Sequence, residues 1–139
     1  MNTNELISSF YEHTLQAIEV AEEISKTIDE IRLSGIRLDA DLMAEKNQMV
    51  IELTTQLLAI NRKRLTIAEM FGVNSTEFFE TVVTRLPHRS KHAMYRAHKT
   101  LESQMQICET KMSDLQSLLK KQNDLMVNIS ENFSFRVKA

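Results

Sequence analysis

The sequence predicts an all-α protein: an antiparallel three-helix, coiled-coil-like bundle with a short accessory helix and a long C-terminal helix. Two glycines and one proline among 139 residues are too few turn formers for a β-sandwich or a doubly wound sheet, which turn about every ten residues. Three long stretches place apolar residues at alternating spacings of 3 and 4, the period that lines up one face of a helix. Breakers fall between those stretches, at Ser34-Gly35, Gly72 and Pro87.

The first helix is predicted from Asn4 to Leu33. Its seam is Ile7, Phe10, Thr14, Ala17, Ala21, Ile24, Ile28 and Ile31, and the two alanines in mid-seam allow a neighbouring helix to come close. Gly35 is expected at C′, in the left-handed conformation that ends many helices. The second helix opens at Asp39, a good N-cap, and runs to Phe71, where Gly72 stops it. Its seam is Met43, Lys46, Val50, Leu53, Leu57, Ile60, Arg64, Ile67 and Phe71.

The short helix, 75–86, has a sharp start signal. Asn74 and Glu77 have the spacing of a capping box, and Val73 and Phe78 that of a hydrophobic staple. Phe78, Phe79, Val82, Val83 and Leu86 then repeat at helical spacing until Pro87 halts the run, so this helix is expected to plug one end of the bundle. The last helix is predicted from Arg89 to Asn132. Met94, His98, Leu101, Met105, Cys108, Met112, Leu115, Leu119, Gln122, Met126, Ile129 and Phe133 keep the alternation throughout, the pattern of coiled-coil-like packing.

At 1.5 Å per residue these predicted long helices span roughly 45, 50 and 65 Å. The last therefore outruns the others, and its free end carries Leu119, Leu125, Met126, Ile129 and Phe133. An uncovered apolar stripe marks a partner surface; the alternative is that the ends fray. Four of the eight methionines lie on this seam (Met94, Met105, Met112 and Met126), and flexible thioether chains suit surfaces that accept varied apolar partners.

Composition bounds the function. A hydrophobic fraction of 42%, a charged fraction of 26% and a net charge of -2 describe one folded domain with no global attraction to nucleic acid or anionic membrane. No apolar run approaches the roughly 18 residues of a membrane span, and Met1 to Phe10 lacks the pattern of a signal peptide. A cytoplasmic location without membrane insertion is expected. The single cysteine excludes an internal disulfide or a cysteine-rich zinc site, and Cys108 on the seam reads as core.

No catalytic constellation emerges, so no enzyme is expected. His88 and His92, at i, i+4, have no nearby Cys or carboxylate to complete a metal site; no metal or other cofactor is expected. Arg85, Arg89, Lys91, Arg96 and Lys99 form a stretch with three histidines and no acid, whereas residues 1–32 hold seven acids against Lys26 and Arg32. The favoured reading is internal charge matching, with Glu5, Glu12, Glu77 and Glu80 facing the cations. An acidic protein partner comes next. Nucleic acid is disfavoured, because only Tyr95 interleaves the cations as a stacking residue.

Two stretches resemble the FlgN family of flagellar type III export chaperones for hook–filament junction proteins. One comprises Glu45-Lys46, Leu53, Leu57, Arg64, Leu65, Phe71-Gly72-Val73 and the apolar turn from Phe78 to Pro87. The other is the run Leu115-Gln116-Ser117-Leu118-Leu119-Lys120-Lys121-Gln122-Asn123-Asp124-Leu125-Met126. The resemblance implies a cytoplasmic, non-enzymatic binder that keeps a helical segment of a hook-associated junction protein soluble for export, with export-apparatus components as further partners. The residues expected to hold the client are Leu115, Leu118, Leu119, Gln122, Asn123, Leu125, Met126, Ile129 and Phe133, with Gln122 and Asn123 setting register. A chain cut after Asp114 is expected to stay folded and lose capture. The alternative is a structural or adaptor coiled coil that homodimerises through the same end.

Overall fold

The computed structural model describes residues 2–37 and 39–119. In chain order the elements are α1 (Thr3–Ile36), α2 (Ala40–Met70), α3 (Ser75–Thr81), a 3-10 turn (Val83–Arg85) and α4 (His88–Leu119), with no strand among the described residues. The expected 120–132 part of the last helix lies outside them.

Helix α1 is the shared wall against which both α2 and α4 lie. Its seam is buried as predicted, with Phe10, Ala17, Ala21, Ile24, Ile28 and Ile31 all but inaccessible. Each large apolar side chain taken out of water stabilises by about 1.5–3 kcal/mol. Thr14, Thr27 and Ser34 are buried on the same helix because their hydroxyls donate to the carbonyls of Phe10, Glu23 and Glu30 at 2.9, 2.7 and 2.8 Å. That local bond satisfies a polar group where no water reaches.

Pairs across the helices fix direction. Arg64 meets Thr14 and Lys46 meets Glu30, so α2 runs antiparallel to α1. Cys108 meets Ala21 and Lys111 meets Asp29, so α4 runs parallel to α1 and antiparallel to α2. The first core cluster joins Ala17, Ala21, Ile24, Ile28, Val50, Leu57, Leu101, Met105, Cys108, Met112 and Leu115. A second gathers Phe10, Ile67, Ala68, Phe78, Phe79, Val83 and Met94 around α3. There Phe78 stacks on Phe10 at 4.4 Å, so α3 does plug that pole.

The helix ends refine the sequence reading. Asn2 and Glu5 form a reciprocal capping box that starts α1 one residue before the predicted position. Asn74 accepts from the Glu77 N–H at 2.8 Å, but no return bond from the Glu77 carboxylate to the Asn74 N–H is among the bonds of the described residues, so the expected box is half made. Val73 packs on the cluster of Phe78, as the staple requires. Between α3 and α4, Leu86 is extended (φ -74, ψ 157). Pro87 disfavours the helical region for the residue before it, so the predicted single helix over 75–86 becomes a short α-helix and a tighter 3-10 turn. Gly72 takes φ 76, as expected of a C′ glycine.

Gly35 is a correction. It lies inside α1, which continues to Ile36 and closes through bonds from the Arg37 N–H to the Leu33 and Gly35 carbonyls. The Asp39 N–H donates to the Ser34 carbonyl at 2.9 Å, and Gly35 itself stays in the helix without a positive φ. A Cβ at Gly35 would meet the Met43 methyl and sulfur at 3.8 and 3.9 Å, ordinary contact. On α2, Asn47 is buried and its Oδ1 has no hydrogen-bond partner among the described residues; a buried acceptor left unpaired costs about 1–3 kcal/mol.

The two glycines should respond oppositely to alanine. Gly35→Ala is expected to stabilise by about 0.5–1 kcal/mol, by removing backbone freedom from the unfolded chain. Gly72→Ala should destabilise by about 1 kcal/mol, because its φ is strained for any side chain. Urea midpoints of the two variants check both signs.

Candidate functional site

The structure separates the residues expected to bind a client. Leu115 is 1% exposed and belongs to the first core cluster, so its side chain holds the bundle together. Leu118 and Leu119 lie in the last turn of α4, and their side chains fall outside the described residues. Gln122, Asn123, Leu125, Met126, Ile129 and Phe133 also lie outside them. Contacts between α1 and α4 join residues 82 and 87 apart, which sets Leu119 level with the last turn of α1. The described bundle therefore ends where the expected client-binding stretch begins. A cut after Asp114 would remove Leu115 from the core, so the expectation that such a chain stays folded is withdrawn.

The methionine seam divides in the same way. Met94, Met105 and Met112 are buried between helices and act as core, while Met126 lies outside the described residues. Cys108 is fully buried, as its seam position predicts. Its thiol donates to the Ala21 carbonyl at 3.0 Å, a contact that the small Ala21 side chain permits. Burial pushes the thiol up to about 12, against the opposing charge of Lys111. Such a group stays a thiol at neutral pH and is a poor nucleophile.

A polar chain at the plug pole was not anticipated. Arg64, on the seam of α2, donates from Nε to Thr14 Oγ1 at 2.9 Å and points Nη2 at His98 Nδ1, 3.5 Å away. It also lies over the Phe10 ring, 4.8 Å from the centroid. Burial lowers the guanidinium to about 10, which leaves it charged at neutral pH. His98 Nε2 reaches Glu102 Oε1 at 2.5 Å, and its ring packs at a tilt against Phe79, with centroids 4.1 Å apart. With Arg64 at Nδ1, the tautomer that satisfies both sides is neutral and carries its proton on Nε2. Burial pushes His98 below its ordinary value; Glu102 opposes this and the Arg64 charge reinforces it. The chain joins all three long helices and α3 through one cation.

The expected charge matching is not made. The ion pairs among the described residues are Lys46–Glu30 and Lys111–Asp29, beside the bond from neutral His98 to Glu102; none engages Arg85, Arg89, Lys91, Arg96 or Lys99. The reason is rotational. Residues 89, 92, 96 and 99 are exposed on the side of α4 opposite buried Met94, Leu101 and Met105. They therefore face away from the side of α4 that packs on the core. His88 and His92 have ring centroids 6.4 Å apart, and no group of three or more His, Cys, Asp or Glu among the described residues is placed to hold a metal. No helix among the described residues is long and apolar enough to cross a membrane.

No family model, curated protein or solved structure matches the chain.

The site carries two predictions. The folded-state pKa of His98 lies below the unfolded value of about 6.5, so its contribution to stability is complete above that pH and is lost as pH falls toward the folded value. His98→Gln can accept from Arg64 and donate to Glu102 without titrating, so acidification from about pH 7.5 to 5.5 should lower the melting temperature less in the variant. Cys108 should resist a disulfide reagent in the native protein and react only at the rate of unfolding in urea; rapid native labelling would contradict its burial.

Proposed function

We propose that this chain is a cytoplasmic export chaperone of the FlgN type, which holds an amphipathic helical segment of a hook-associated junction protein until export. One observation supports this reading above the others. The apolar 3-and-4 spacing of the last helix continues in sequence through Met126, Ile129 and Phe133, past Leu119, where the described part of α4 ends. A hydrophobic seam of that length in the sequence suits a partner's amphipathic helix. The two stretches that resemble the family agree with that use, and the reading assigns the chain binding rather than catalysis.

The test is co-expression of the full chain with the hook-associated junction proteins of its own genome. Met126→Glu with Ile129→Glu is expected to weaken capture by roughly tenfold or more while leaving the thermal melt in place. Equal capture by the double variant would refute the assignment. A tight homodimer that the same substitutions dissociate, with no junction protein bound, would instead favour the self-associating coiled coil.

A further inference from the structure

We propose that the outer face of the first three turns of α4 is a docking surface for an acidic helical segment of a partner protein, separate from the C-terminal client stretch. Arg89, His92, Arg96 and Lys99 follow one another at spacings of 3, 4 and 3 and are all exposed. They form a straight stripe about 15 Å long at 1.5 Å per residue. Arg85 precedes it across Pro87. No acid occurs between Arg85 and Lys99, and none of these Arg and Lys side chains has an ion-pair partner among the described residues.

The arrangement is unfavourable for the isolated protein. Arg96 and Lys99 are like charges one turn apart, and α4 has no acid in its first turn, so Arg89 sits uncompensated at the positive end of the helix dipole. A docked anionic surface removes both penalties.

The shape selects a helix over a nucleic acid. Carboxylates on one face of a helix recur about every 5–6 Å, the spacing of the stripe itself. Single-stranded nucleic acid needs free aromatic faces. The one aromatic residue in the stretch, Tyr95, is committed, with its ring 5.6 Å from Phe79 and its hydroxyl donating to the Phe79 carbonyl at 3.4 Å. Glu80 and Glu102 stand exposed before and after the stripe, where they would repel a continuous phosphate backbone but leave room for a short acidic segment. Lys99 and Leu119 are about 30 Å apart along α4, so both surfaces can be occupied at once.

Fluorescence anisotropy on the full-length protein tests this. One labelled peptide carries four glutamates on a single face of an Ala/Gln helix. An isomer spreads the same glutamates around the helix, and the other probes are oligo-dT and a DNA duplex. The one-face peptide should bind at low salt and weaken by roughly tenfold as salt rises to about 0.3 M. The isomer should bind several-fold more weakly. Arg89→Glu with Arg96→Glu and Lys99→Glu should abolish binding, and the milder Arg96→Gln with Lys99→Gln should reduce it if the first variant melts early. Arg62→Glu with Lys63→Glu, on the exposed side of α2, should leave it unchanged. Equal binding of the two peptides, indifference to the α4 substitutions, or tighter binding of either DNA would overturn the proposal.

Discussion

One helix must bury two faces at once. α1 packs α2 along one flank and α4 along the other, and it can do so because its buried arc mixes bulk with small residues. Ile24, Ile28 and Ile31 supply apolar area, while Ala17 and Ala21 are small enough for a neighbouring backbone to approach. The bond from the Cys108 thiol to the Ala21 carbonyl records that approach. α2 and α4 come together at the plug pole through a long side chain, Arg64 reaching toward His98. A bulky residue at position 17 or 21 would disturb the α1 wall itself, whereas a change on the outer face of α2 would leave the rest in register.

The plug pole shows how a buried cation is accommodated without a carboxylate at hydrogen-bonding distance. Arg64 is held by the Thr14 hydroxyl, the Phe10 ring, Asn61 and a neutral histidine. A guanidinium suits this setting because its planar fork both stacks and donates in fixed directions. Such a chain fixes the rotation of α2 and α4 about α1 more tightly than apolar contact alone, since each bond has one donor and one acceptor.

Much of this was legible because the apolar period is a local signal. The seams of α1 and α4, the stop at Gly72 and the plug role of Phe78 and Phe79 all rest on residues close in sequence. Gly35 misled because a glycine near a helix end looks the same whether it sits at C′ or in the last turn. The Asn2–Glu5 box carried the same signature as Asn74–Glu77 and went unused. Arg64 and His98 were each placed on a seam, but their meeting depends on the register between helices, which periodicity does not contain. The basic stretch was assigned to neighbouring acids from its pole alone. Its rotation about α4, readable from 89, 92, 96 and 99 against 94, 101 and 105, decides otherwise. Of the client-binding set, Leu115 fell to the core because the offsets of 82 and 87 residues set it level with residues 28–33 of α1, which cover α4 there.

The parallel pairing of α1 with α4 also orders events in time. α1 and α2 form a hairpin of near neighbours, whereas the contacts that dock α4 close loops of 82 and 87 residues. Loops of that size close later and more slowly than a local hairpin. During synthesis, therefore, the hairpin can assemble on the ribosome while the flank of α1 around Ala21 stays bare until Cys108 has left the exit tunnel. For that interval the nascent chain shows a sticky flank of its own, and it covers that flank only once α4 has emerged and docked.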